Sequence, residues 1–175
     1  MTLRELLLSS MRLLGVADQP TNDDYNDAIS ALNLMLAGWA TPPHNLTVQA
    51  LTHESKALTA GTATYTVGVG GDINSSRPTD IQHAYIRDAS SYDWPLDRIG
   101  VIEYKGEPDK TERARPEKFA YEPVHSLGVI YLYPTPDSST DTLHIDSIKP
   151  LADLVYSGLG TTLTLPGELL VAVRF

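Results

Sequence analysis

The chain has 175 residues, is 42% hydrophobic, carries a formal net charge of −9 and contains no cysteine. At this length folding hides about two-thirds of the unfolded surface, so one domain, or one domain with an insertion, can bury a real core. Disulfides, thiolate metal sites and thiol nucleophiles are excluded, and an extended phosphate-gripping surface is disfavoured because it needs clustered Lys and Arg. A negative surface that DNA passes without sticking remains open.

The first residues carry an apolar run of only three leucines, Leu6 to Leu8, before Ser9, Ser10 and Arg12. That is too short for a secretory segment, and the stretch reads as a helix. Thr2 and Glu5 have capping-box spacing, Leu3, Leu6, Leu7, Met11 and Leu14 share one side, and Gly15 supplies a stop. A second, longer helix is expected from about Asp23 to Trp39, roughly 25 Å long at 1.5 Å per residue. Its stripe is Tyr25, Ala28, Ile29, Leu32, Met35, Leu36 and Trp39, Thr21 and Asp24 mark its start, and Thr41-Pro42-Pro43 ends it. Joined by a short polar loop, the two helices read as an antiparallel pair. Neither stripe can stay in water, so the two must bury each other and something more. No run approaches the length needed to cross a bilayer.

After Pro43 the pattern becomes alternating and β-rich. Ser55–Leu58 and Thr62–Val67 are expected as two strands about a turn at Ala60-Gly61, followed by the glycine-rich Gly68 to Asp72 and a polar loop to Arg77-Pro78. Ile81–Arg87 is a further strand, Pro95–Tyr104 is open between strand and short helix, and the charged stretch Lys105–Lys118 reads as a solvated loop. Phe119–Tyr121, Gly128–Tyr133 and Thr142–Ile148 complete the strands, the last two joined through Pro134 to Asp137. Residues after Pro166 have helical character without a capping stop, as a truncated helix would.

The chemistry-bearing residues give weak patterns. Gly68 to Gly71 follows a strand, but Asp72 puts a carboxylate in the turn, so a structural turn is favoured over a phosphate loop. The histidines at 44, 53, 83, 125 and 144 match no metal-ligand spacing, although His83 and His144 could meet across a sheet. No Gly-x-Ser-x-Gly elbow is present. Glu54, Glu103 and Asp146 offer carboxylates for a glycosidase pair, which needs two of them ~5–10 Å apart. Nine tyrosines against two phenylalanines suit half-buried positions, and Tyr65, Tyr85, Tyr131 and Tyr133 fit a β core equally well.

The run Ala31 to Trp39, with Leu32 and Asn33 inside it, resembles the signature helix of tailed-phage head-to-tail adaptor proteins, the tail accessory factor family of short-tailed phages. The likeness continues through Leu58 to Gly68 with Tyr65, through Gly70-Gly71-Asp72-Ile73 to Arg77-Pro78, and returns at Leu132-Tyr133-Pro134-Thr135-Pro136-Asp137 and at Leu163 to Pro166. Each anchor alone is weak; their order along most of the chain carries the resemblance.

The resemblance implies an α+β fold, an antiparallel helical bundle core formed by residues 1–45 and 166–175, with a β-rich domain inserted at 46–165. It implies a virion structural protein at the head-tail junction, assembled in the host cytoplasm, with neither catalytic residues, metal nor cofactor. Identical subunits would form a ring, commonly a dodecamer, below the portal protein. That ring extends the DNA channel without sequence-specific binding, helps retain packaged DNA and offers a platform to downstream tail or nozzle proteins, with no membrane involved. Leu3, Leu7, Tyr25, Leu36 and Trp39 are the expected subunit or portal contacts. The family continues after the Leu-Pro element with a long helix and a tail, of which the residues up to Phe175 are expected to be a truncated part. Two other readings stand beside this one: a peptidoglycan-degrading tail enzyme using Glu54 or Glu103, and a β-rich carbohydrate-binding tail module with aromatics on a flat face.

Overall fold

The computed structural model describes residues 2–13, 15, 20–40, 50–149, 154–160 and 162. The chain divides into two compact units, Met1–Gln49 with Pro150–Phe175, and Ala50–Lys149. The sequence placed residues 150–165 with the β-rich insert. Leu154 and Leu159 instead pack with the helices.

In the first unit, helix α1 (Leu3–Leu13) and helix α2 (Asn22–Ala40) form where the sequence signals place them. The Thr2 amide donates to Glu5 Oε2 at 2.8 Å and the Glu5 amide to Thr2 Oγ1 at 3.3 Å. Thr21 and Asp24 make the same reciprocal exchange at 2.7 and 3.3 Å. In each helix the amides of the cap residue and of the third helical residue are thereby satisfied. Leu3, Leu6, Leu7 and Met11 of α1 bury against Tyr25, Ile29, Leu32 and Leu36 of α2, and Leu159 closes the cluster.

The second unit is built from strands. β1 (Ala50–Ala57), β2 (Thr64–Gly68), β3 (Ile73–Asn74), β4 (Asp80–Arg87), β5 (Asp93–Pro95) and β6 (Asp97–Arg98) lead to a short helix, α3 (Val101–Gly106). β7 (Arg113–Ala114), β8 (Lys118–Glu122), β9 (Gly128–Tyr133), β10 (Thr135–Pro136) and β11 (Thr142–Lys149) follow. They form a four-stranded sheet in the order β1-β11-β4-β5, a five-stranded sheet in the order β3-β2-β9-β8-β6, and the small pair β10-β7. Ile81, Ala84, Ile86, Leu143 and Ile145 of the first sheet share one core with Tyr65, Val67, Phe119, Tyr121, Ile130 and Leu132 of the second, so the two sheets face each other as a sandwich. Between β5 and β6 the chain passes from one sheet to the other at buried Leu96.

This architecture overturns the expected fold class. The described residues form eleven strands in three sheets, and the helical part is one packed pair plus the six-residue α3, so no helical bundle forms the core around which a β domain is inserted. The local pairing expected from sequence fails for the same reason. β1 and β2 flank the turn at Gly61, yet β1 pairs with β11 and β2 with β9, because Leu58 and Tyr65 both turn into the core between the sheets. β9 and β11 are likewise split between sheets. Pro95–Tyr104, open on sequence, contains the end of β5, β6 and most of α3, and the expected loop Lys105–Lys118 holds β7.

Candidate functional site

The segments of the family resemblance that lie in the β unit meet in space. The Gly61 amide donates to the Pro136 carbonyl at 2.7 Å, and the Leu132 amide to the Ala63 carbonyl at 2.8 Å, which joins the Leu58–Gly68 segment to the Leu132–Asp137 segment. Tyr65 is buried and its hydroxyl accepts from the Thr59 amide at 2.8 Å. Asp72 accepts from the Thr66 amide and hydroxyl at 2.9 and 2.8 Å, and these two bonds hold its carboxyl below the ordinary carboxylate range. The carboxylate that argued against a phosphate loop thus closes the glycine turn on itself. Gly68 has φ +155°, and a Cβ there would lie 2.7 Å from Leu127 Cδ2 and 2.8 Å from the Ser126 carbonyl, so only glycine fits. A Cβ on Gly71 would stand 3.1 Å from the Thr66 carbonyl.

The remaining anchors hold loops. Pro78 is buried and its carbonyl accepts from the Tyr121 hydroxyl at 2.7 Å, while Arg77 Nη1 reaches the Pro123 carbonyl at 3.4 Å. The Tyr133 hydroxyl donates to Glu112 Oε2 at 2.7 Å, which pushes its pKa up to about 12. The Tyr133–Pro134 bond is cis, and Pro134 and Pro136 are buried. Leu32 is buried in the helical cluster. Next to it, Asn33 uses both ends of its amide: Nδ2 donates to the Leu154 carbonyl at 2.9 Å and Oδ1 accepts from the Leu154 amide at 3.0 Å. Pro166 and the side chain of Trp39 lie outside the described residues.

The helical residues expected to contact a neighbour are already used. Leu3, Leu7, Tyr25 and Leu36 are each 7% exposed or less within the single chain. The two stripes cover each other, and residues near Leu159 supply the additional cover that the sequence left open. Among the described residues of this unit, the large apolar ones left in water are Leu13, Leu34, Val155 and Tyr156, on positions that neither stripe includes.

Three of the histidines, with Asp146 and Tyr85, fall on the four-stranded sheet. Its outer face gathers His53 of β1, His144 and Asp146 of β11, and His83 and Tyr85 of β4. His53 Nδ1 lies 2.8 Å from Asp146 Oδ1, and His53 Nε2 lies 3.1 Å from His144 Nδ1. With both rings neutral, His53 donates to the carboxylate and accepts from His144. The Tyr85 ring stacks on His144 at 4.8 Å and 3°. Burial, then the Arg87 cation and the neighbouring His53, lower the His144 pKa. His83 and His144 do share a face, but His83 pairs with Asp146, at 3.5 Å, and not with His144.

The carboxylates proposed for a glycosidase pair are not assembled. Glu54 follows His53 and points to the opposite face, where Lys149 Nζ and Ser147 Oγ donate to it, whereas Asp146 is on the outer face. Glu103 sits exposed on α3. Among the described residues no group of three or more His, Asp or Glu could hold a metal ion. Of the four strand tyrosines, Tyr65 is core, and Tyr85, Tyr131 and Tyr133 are half-buried.

Sequence reasoning missed the residues that converge at one end of the sandwich. Asp88 in the β4–β5 turn, Arg115 before β8 and Asp141 before β11 border a single open cleft. Only Arg115 carried a local signal, a cation within a charged loop. No helix of the described residues is long and apolar enough to cross a membrane. No protein-family model and no curated protein sequence matches this chain.

Proposed function

We propose that the chain is a virion structural protein, a head-to-tail adaptor that works as a ring, in the manner of a dodecamer, beneath a phage portal. The observation that supports this reading is the joining of those family-like segments that lie in the β unit. Gly61 with Pro136, Ala63 with Leu132, Thr66 with Asp72 and Pro78 with Tyr121 are hydrogen-bonded into one framework, so residues scattered along the sequence act on a shared architecture. In this role the side chains set shape and carry out no turnover. The net charge of −9 suits a wall that DNA slides past, and downstream tail proteins dock on the assembled ring.

Because Leu3, Leu7, Tyr25 and Leu36 close the unit's own cluster, neighbour contacts on this reading fall on residues that the cluster leaves exposed, above all Leu34 at 75%. Closed rings use repeated heterologous contacts, which such a patch can supply once per subunit. Mass photometry of the protein alone and mixed with portal rings from the same phage tests the proposal. The expected result is a complex holding several copies per portal, diminished by Leu34→Asp. A chain that stays a single copy at saturating portal overturns it.

A further inference from the structure

The cleft at the end of the sandwich has a volume of about 560 Å³ and is bordered by Asp88, Ser90, Arg115, Asp137, Ser138, Thr140 and Asp141, together with Ala89. Three loops far apart in sequence form it: the β4–β5 turn, the segment between β7 and β8, and the segment between β10 and β11. Loops gathered at one end of a sandwich can vary without disturbing the sheets, which is where binding residues accumulate. The size falls within the roughly 300–1,000 Å³ of small-molecule sites.

Arg115 is held in place but not satisfied. Its guanidinium carbon lies 4.4 Å from the centroid of the Trp94 ring, which fixes the plane of the group by stacking. Nη2 is 3.8 Å from Asp88 Oδ2 and Nε is 3.8 Å from Asp141 Oδ2. Both separations are beyond hydrogen-bond reach, and Nε is buried with no hydrogen-bond partner. Asp141 is the complement: its side chain is 9% exposed, and the hydrogen bond to its carboxylate comes from the Thr140 hydroxyl at 3.3 Å. Asp88 acts as a strut, accepting from the Ser90 and Tyr92 amides and from Trp94 Nε1, so turn and indole are locked to one carboxylate. A donor fork and a nearly buried acceptor thus stand within ion-pair distance with no hydrogen bond between them.

The charge of the lining selects among ligands. Three carboxylates against one guanidinium leave the lining net negative, which repels an anion, and Arg115, within 4 Å of two of the carboxylates, weakens the pull on a cation. A neutral molecule with adjacent hydroxyls suits both groups, because each hydroxyl can donate to Asp141 or Asp137 while accepting from Arg115. Ser90, Ser138 and Thr140 add hydroxyls to the same rim. Beside it Tyr92 and Trp94 are 64% and 40% exposed, with ring centroids 5.2 Å apart and planes tilted by 49°, so that Tyr92 offers a ring to the C–H face of a pyranose while Trp94 carries Arg115. We propose that this cleft binds a neutral glycan, one or two pyranose units of it, through Arg115 and Asp141 with Trp94 and Tyr92 alongside. The assignment is independent of the adaptor reading.

The test is a ¹H–¹⁵N NMR titration of the intact chain with D-glucose, D-galactose, L-rhamnose and N-acetylglucosamine, and with inorganic phosphate and spermidine as charged probes. The expected result is saturable movement of the Trp94 Nε1–H and Arg115 Nε–H signals with at least one sugar, weakened about tenfold or more (≈ 1.4 kcal/mol) in Arg115→Lys. Tyr92→Ala, at an exposed position, must also weaken binding, and it keeps the test informative if Arg115→Lys disturbs the fold. No saturable shift with any of the four sugars, binding of phosphate or spermidine in their place, or sugar binding that both variants leave intact would overturn the proposal.

Discussion

Replacing Asn33 tests the connection between helix α2 and the segment around Leu154. The Asn33 amide makes two hydrogen bonds, 2.9 Å to the Leu154 carbonyl and 3.0 Å from the Leu154 amide, imitating one rung of a β-ladder with a side chain. Asn33→Ala removes both and strands two half-buried backbone groups. At about 1 kcal/mol net per hydrogen bond, plus the cost of leaving a partner unpaired, the loss comes to about 2–3 kcal/mol. A thermal melt averages over two compact units and is a poor probe here. Hydrogen exchange at the Leu154 amide reads the local opening directly. It should quicken by about 30- to 160-fold, one factor of ten for each 1.36 kcal/mol, while the Ile145 amide in the β unit is unchanged. Asn33→Asp keeps an acceptor for the Leu154 amide but sets a carboxylate against the Leu154 carbonyl, so it should exchange at least as fast as the alanine variant. If Leu154 exchanges at the wild-type rate in both variants, the two bonds do not hold the segment and the reasoning is refuted.

Three further outcomes follow from the β unit. Glu54→Ala leaves Lys149, 6% exposed, as an uncompensated buried cation and should cost about 3–5 kcal/mol in urea unfolding, whereas Glu54→Gln with Lys149→Met should recover most of it; equal losses in the two proteins would show that the pair does not matter. Gly68→Ala should destabilise the unit by about 2 kcal/mol or more, because a Cβ at φ +155° meets Leu127 and the Ser126 carbonyl; an unchanged urea midpoint would contradict the close approach. His144 has a folded pKa depressed by burial and by Arg87 and His53, so the unfolded chain takes up its proton first as the pH falls. Its neutral form stabilises the fold above about pH 6.5, and that contribution is lost as the pH falls through the folded pKa. His144→Gln should flatten stability across this window; a slope identical to wild type would remove His144 as its source.

What the sequence settled alone was local. Thr2 with Glu5 and Thr21 with Asp24 meet at a spacing of three, so both capping boxes and both apolar stripes could be read without knowing what lay elsewhere. Alternation likewise located most strands, and the carboxylate of Asp72 already disfavoured a phosphate loop in the glycine turn. Strand partners were decided only by the tertiary structure. β1 pairs with β11 across about ninety residues, as in His53 with Asp146, and no periodicity within either strand encodes that choice. The same pairing sets Glu54 and Asp146 on opposite faces, and it assembles the histidine face from three strands. Whether the helical stripes needed neighbours was also a tertiary matter: Leu159, more than a hundred residues after α2, supplies the cover that counting residues in the first forty-five could not reveal. Arg115, Asp88 and Asp141 show the limit most plainly. Each lies in its own loop with an ordinary local sequence, and only the closing of the two sheets brings Arg115 to within 4 Å of both carboxylates at one cleft.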